Sequence, residues 1–164
     1  MTSQPHIRAA QPRDDDAIWR IIGPTIAAAE TYPLPPDMSR SDALAYWKSP
    51  AHQVFVAEIG GRVVGTYYLK ANQQGGGAHV ANCGYITASD ARGHGVARAM
   101  CLHSLDHARA RGFLAMQFNF VVSSNTRAVK LWQSLGFAIV GTLPQAFLHP
   151  QLGLTDALVM YRKL

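Results

Sequence analysis

Arg92-Gly93-His94-Gly95-Val96-Ala97 is followed at once by a long amphipathic helical pattern. Two glycines with bare backbone, opening onto a helix N-terminus, make a pocket of N–H donors suited to a pyrophosphate. Residues 79–87, just upstream, read as a strand, so the order is strand, short loop, anion-binding turn, helix. Arg92, at the mouth of the turn, can add a charge-assisted bond to a phosphate oxygen. The stretch therefore reads as the seat of a phosphorylated cofactor.

The spacing narrows the choice of cofactor. A dinucleotide fingerprint needs a third glycine for close helix–strand packing, and Arg98 stands there instead. No Lys-Ser or Lys-Thr pair follows the glycines, which argues against a Walker-type triphosphate cradle. A second segment lies downstream: Ser124-Asn125-Thr126-Arg127-Ala128-Val129-Lys130-Leu131-Trp132-Gln133-Ser134-Leu135-Gly136-Phe137. Asn125 suits a helix N-cap, and Ala128, Leu131, Trp132 and Leu135 recur at helical spacing. Gly136 stands where a left-handed residue ends the helix, and Phe137 opens the next strand. Arg-x-x-Gly-x-Ala on a strand–helix junction, followed by Asn-x-x-Ala-x-x-Leu-x-x-x-x-Gly-Phe, resembles the two coenzyme-A motifs of the GNAT acetyltransferases.

At 164 residues the chain reads as one domain spanning 1–164, with its core from about residue 6 onward. No stretch is long and apolar enough to span a bilayer, so no membrane partner is expected. The opening Met-Thr-Ser-Gln-Pro-His lacks the apolar core of a signal peptide, which points to the cytoplasm. The two cysteines, Cys83 and Cys101, read as small buried hydrophobes rather than a disulfide. The net charge is +5, but the basic residues are dispersed, so no nucleic-acid partner is expected. His103 and His107 have the spacing of a metal pair, yet no third ligand is evident and no metal is expected.

Residues 6–10 read as a first strand, and Asp14, Asp15 and Asp16 supply charge to the first turn of a helix. That helix carries Ile18, Ile21, Ile22, Thr25 and Ile26 on one face, with a kink expected at Gly23-Pro24. Residues 31–37 form a proline-rich loop, and residues 41–47 a second helix. Strands over 53–59 and 62–71 meet across Gly60-Gly61, a hairpin signal. Residues 72–77 form a polar turn. The helix after the pyrophosphate turn is expected to bury Ala97, Met100, Cys101, Ser104, Leu105 and Ala108, and Gly112 ends it. Residues 114–122 are a strong strand. After the Asn125 helix come a strand from Phe137, a proline-bearing loop over 143–153 and a final strand over 157–161. Seven strands and four helices in this order give an α/β (α+β) fold, a mixed central sheet flanked by helices.

The resemblance implies a co-substrate, acetyl-coenzyme A, gripped by Arg92, Gly93, His94, Gly95, Val96 and Ala97, with Arg98 near the phosphates. It also implies that the pantetheine arm lies between two splayed parallel strands and imitates a strand itself. Backbone groups of Tyr85, Ile86 and Thr87 would bond that arm. One of their N–H groups would serve as the oxyanion donor, which makes Thr87 a catalytic candidate. Asn125 would contact the pantetheine from the other side, at some cost to its capping role. Many members place a tyrosine where Trp132 stands, to protonate the departing thiolate, and indole is no acid at neutral pH. Either Tyr85 or Tyr161 serves instead, or the thiolate leaves unassisted. A base for the ammonium could be Glu30, Glu58 or a water chain.

Asn119 sits among β formers in an expected central strand, where an amide needs partners or a ligand. Phe118-Asn119-Phe120-Val121, with the ending Asp156-Ala157-Leu158-Val159-Met160-Tyr161, resembles the branch that acts on azetidine-2-carboxylate and related proline analogues. There the matching asparagine holds the acceptor; a structural amide is the alternative. Glu30-Thr31-Tyr32 resembles the acceptor loop of enzymes acting on phosphinothricin, with Glu30 facing an ammonium and Tyr32 walling the pocket. The expected function is acetyl transfer to a small-molecule amine, amino-acid-like or xenobiotic, by direct attack in a ternary complex. Acetylation of a protein N-terminus or lysine, and a non-catalytic acyl-coenzyme-A module, are the alternatives. The family resemblance also allows a homodimer through C-terminal strands.

Overall fold

Gly60 and Gly61, at φ 58° and 77°, make the tight turn that the hairpin signal requires. In the computed structural model, which describes residues 3–164, this turn joins β2 (Gln53–Ile59) to β3 (Arg62–Ala71). Before them come β1 (His6–Ala9), α1 (Asp15–Ala28) and α2 (Arg40–Trp47). After them come β4 (Val80–Thr87), α3 (Val96–Ala110), β5 (Ala115–Val122), α4 (Thr126–Ser134), β6 (Ala138–His149) and β7 (Gly153–Lys163). The strands form one seven-stranded sheet in the order β1-β2-β3-β4-β5-β7-β6. Among the described residues, only the β4–β5 pair is parallel.

Neighbouring residues on a strand point to opposite faces, and β3 shows what each face meets. Tyr68 packs edge-on against Trp47 of α2, at 4.9 Å between ring centroids. Tyr67 bonds His103 of α3 through its hydroxyl at 2.7 Å. Helices α1 and α2 therefore cover one face and α3 and α4 the other, with Trp47, Ile18, Ile22, Met100 and Leu105 buried between layers. Gly65 lets α3 approach the sheet: a Cβ there would lie 2.8 Å from Val96 Cγ1 and 3.0 Å from Met100 Cε. Close packing at that glycine fixes where α3 begins.

Two local readings are corrected, the loop over 143–153 and the burial of Ala97. Residues 143–153 are not a loop; β6 continues to His149 and β7 already starts at Gly153. The register shifts between Leu143 and Phe147, with Gln145 at φ 51° and its N–H bonded to Asp156 Oδ1 at 2.9 Å. A bulge on an edge strand accommodates Pro144 without ending the ladder. Val96 rather than Ala97 is buried at the start of α3, because Val96 packs over Gly65. Pro24 lies within α1, which runs on to Ala28. A short 3-10 turn, Gly75–Gly77, occupies the polar stretch before β4.

Candidate active site

The turn between β4 and α3 leaves its donors free. Gly93 and Gly95 have φ of 80° and 75°, and a Cβ on either would meet nothing within 4 Å. Among the described residues, no hydrogen bond uses the main-chain N–H of residues 92–98, and the first bond into the turn is Ala99 N–H to Gly95 O at 3.0 Å. Helix N-termini leave such groups for an external acceptor, and the aligned peptide dipoles favour negative charge there. Open space over both glycines and a row of unpaired amides fit a diphosphate. The His94 ring lies against the turn's own carbonyls, with Nδ1 at 3.1 Å from Arg92 O and 3.3 Å from Ala91 O. That contact braces the loop and leaves the His94 N–H available. Arg92, Arg98 and Arg127 border the same cleft, and Arg98 Nη1 donates to Ser134 Oγ at 3.3 Å.

A wedge opens beside the turn. Strands β4 and β5 pair only at Val80–Ala115 and Ala81–Met116, and the Asn82 side chain then bridges to Gln117 O at 2.9 Å. Beyond that point the strands part. Bonds Asn72 N–H to Val80 O and Ala88 N–H to Val64 O turn the even-numbered residues of β4 toward β3. The main-chain groups of Cys83, Tyr85 and Thr87 therefore face the wedge, while those of Ile86 face β3. Ile86 lines the cleft by its side chain alone. Tyr85 and Thr87 are thus the better placed of the three expected backbone partners.

Aromatic rings close the α3–α4 side of the wedge. Trp132 is buried, with its ring 5.1 Å from both Tyr85 and Phe118. The Tyr85 hydroxyl bonds Ser104 Oγ at 2.6 Å, and burial holds its pKa well above the ordinary value. It is a packing group and not an available acid. Asn125 caps α4 by accepting the Ala128 N–H at 3.3 Å through Oδ1. Its amide nitrogen has no partner among the described residues, and the residue lines the cleft.

The opposite end of the same cleft, about 1180 Å³ in all, lies under the α1–α2 loop. Glu30 is exposed there, and Tyr32 is half-buried with its hydroxyl donating to Tyr85 O at 3.2 Å. Gly84 makes this possible, since a Cβ there would lie 2.9 Å from the Tyr32 hydroxyl and 2.7 Å from the Tyr68 ring. Asn119 is exposed at the bulge of β5, where it donates to Asn72 Oδ1 at 2.6 Å and accepts from Gln117 Nε2 at 2.9 Å. Both halves of its amide are engaged, but the residue still borders the cleft.

Other expected candidates are elsewhere. Glu58 is held by Arg8 at 2.7 Å on the far edge of the sheet, outside the cleft, and so is no base. Tyr161 is also outside the cleft lining; it lies on β7 opposite Gln117 and Ala138. Cys83 and Cys101 are buried, and burial pushes their thiols up to about 12 and about 11, which removes them as nucleophiles. His103 and His107 are committed to Tyr67 and Gln53, at 2.7 Å each. Among the cleft residues that sequence reasoning missed are Lys70, Arg127 and His149. Arg127 was visible inside the second motif, whereas Lys70 and His149 carry no local signal.

Comparison with known proteins shows the family. A family model described as the acetyltransferase (GNAT) family matches residues 20–137. A solved structure of a GCN5-related N-acetyltransferase from Kribbella flavida is 41% identical, with a TM-score of 0.93 and 98% of each chain covered. A phosphinothricin acetyltransferase from Sinorhizobium meliloti, solved with AcCoA, shares the fold at 20% identity and a TM-score of 0.86, covering 100% of this chain and 89% of that one. Among curated relatives, the N-acetyltransferase aca1 of Schizosaccharomyces pombe is 27% identical, over 74% of this chain and 66% of its own length. The mycothiol acetyltransferase of Thermobispora bispora is 40% identical over 56% of this chain and 31% of its own length. The chain spans less than two thirds of the length of either.

Proposed function

The chain belongs to the GNAT family of acetyl-CoA-dependent N-acetyltransferases, and from that premise we propose that it acetylates an amine of a small molecule by direct attack in a ternary complex. The observation that carries the reading is the row of unpaired amides from Arg92 to Arg98 beside the β4–β5 wedge. Acetyl-CoA supplies an activated acyl carbon when bound. The amides of residues 92–98 hold its diphosphate, and Arg92, Arg98 and Arg127 add charge around it. The wedge-facing groups of Tyr85 and Thr87 align the pantetheine arm as an added strand.

An N–H of the same pair, with Thr87 as the candidate, donates to the oxyanion that develops on attack. One such donor in a water-poor site is worth about 3 kcal/mol of barrier. Glu30 is the one carboxylate bordering the cleft without an ion-pair partner among the described residues, since Asp90 is bound to Arg62 at 2.7 Å. It attracts the acceptor's ammonium and takes its proton, directly or through water. Trp132 shapes the thiol end of the wedge, and the thiolate leaves without a protein acid, as its ordinary pKa of about 8.5 allows. With no reactive thiol in the cleft, acyl transfer proceeds without an acetyl-enzyme.

The proline-rich loop carrying Tyr32 encloses the acceptor end, which favours a small molecule over a protein chain. Thiol release from acetyl-CoA, measured against a panel of amino acids, simple amines and peptides, tests the reading. Turnover with small amines is expected. Turnover confined to peptides, or tight coenzyme A binding with no turnover on any amine, would overturn it.

A further inference from the structure

His149, the last residue of β6, paired with Gly153 across the turn to β7, is only 8% exposed and lines the cleft. Its Nδ1 accepts two main-chain N–H groups, from Gln151 at 3.1 Å and Leu152 at 3.2 Å. An imidazole nitrogen that accepts carries no proton, so the ring's single proton sits on Nε2. The turn thereby fixes the tautomer. No group among the described residues accepts from Nε2, and none of their fully occluded side-chain atoms lacks a partner, so Nε2 keeps some exposure on a residue that lines the cleft. A nearly buried donor beside a cavity needs an acceptor from the ligand.

A cation lines the same cleft. Lys70, half-buried on β3, lines the cleft and has no ion-pair or hydrogen-bond partner among the described residues. Glu30 lines the same cleft. The cleft thus offers a fixed N–H and an ammonium, together with one free carboxylate.

From this we infer that the acceptor is a carboxylate-bearing amine of the amino-acid class, its carboxylate held by His149 Nε2–H and Lys70 while its amino group faces Glu30. The inference rests on the acetyltransferase reading above and adds the acceptor's second charge. His149 acts here as a donor and not as a base, since accepting a proton at Nε2 would require Nδ1 to abandon the turn.

His149→Asn separates recognition from structure. The asparagine Oδ1 can take over the Nδ1 contacts with the Gln151 and Leu152 amides, but its shorter Nδ2 donor does not reach the Nε2 position. Each amino acid of the panel is compared with its decarboxylated amine, on the wild-type enzyme, His149→Asn and Lys70→Met. The wild-type enzyme is expected to prefer the carboxylated member. Both variants are expected to raise KM for it by about tenfold or more, leaving KM for the decarboxylated amine and coenzyme A affinity unchanged. Equal turnover of both members by the wild-type enzyme, or parallel KM changes for both in the variants, would overturn the inference. Should no amine be turned over, the acetyl-transfer reading fails. Calorimetry of amino acids against the coenzyme-A-bound protein then decides this one: binding weakened in His149→Asn supports it, and unchanged binding refutes it.

Discussion

The Tyr32 hydroxyl donates to the Tyr85 carbonyl at 3.2 Å, so the α1–α2 loop is tied to the edge of β4 that faces the wedge. A shift of the loop is a shift of the wedge. Tyr32→Phe removes one hydrogen bond, with a net value of about 1 kcal/mol. A drop in Tm of about 2–4 °C is expected for a chain of this size, by scanning calorimetry. The acceptor's KM should rise several-fold while coenzyme A affinity stays within about twofold, because the diphosphate turn is untouched.

Gly95→Val addresses the turn itself. A β-branched residue at φ 75° costs about 1–2 kcal/mol in backbone strain, and its Cβ stands in space that is otherwise open. The fold should survive with a lower Tm. Coenzyme A affinity by calorimetry should fall by at least about a hundredfold, more than the strain alone explains.

Direct attack predicts that neither cysteine takes part. With the Cys83 thiol pushed up to about 12 and the Cys101 thiol to about 11 by burial, neither is thiolate at neutral pH. Iodoacetamide should leave both unmodified in the native protein. Cys83→Ala with Cys101→Ala should keep kcat within a few-fold, and mass spectrometry should detect no acetyl-enzyme.

Far from the cleft, Asp14 accepts two bonds from Arg8 at 2.8 Å and one from the Gln11 N–H at 2.7 Å. The Arg8 bonds, outweighing the opposing effect of burial, hold its carboxyl below the ordinary 3.8. A depressed carboxylate stabilises the fold fully above its unfolded pKa and loses that contribution as pH falls through the folded one. Stability should therefore decline below about pH 4 in the native protein, by urea titration. Asp14→Asn should cost about 2 kcal/mol at pH 7 and flatten that decline, with kcat unchanged.

The parts of this protein that were legible in its sequence are those whose cause is local. The Gly60-Gly61 turn, the β4–α3 junction and the Asn125 cap each follow from residues within a few positions of one another. β6 was cut short because Pro144 reads as a stop. What keeps the strand going is Asp156, eleven residues on, which accepts the Gln145 N–H. Glu58 looked free because its partner, Arg8, is fifty residues away. His149 carried no signal at all, since its tautomer depends on a turn that only the β6–β7 pairing creates. In β4, alternation alone could have separated Tyr85 and Thr87 from Ile86, but the direction of the odd residues depends on which edge β3 occupies.

The central claim is that main-chain amides of residues 92–98 clasp a diphosphate. An amide NMR titration of the ¹⁵N-labelled protein with coenzyme A, set beside one with pantetheine, which lacks the diphosphate, tests it most directly. The account predicts large shifts for Gly93, His94, Gly95, Val96 and Ala97 with coenzyme A and small ones with pantetheine, while Tyr85 and Thr87 respond to both. Equal shifts of the turn with the two ligands, or none with either, would contradict it.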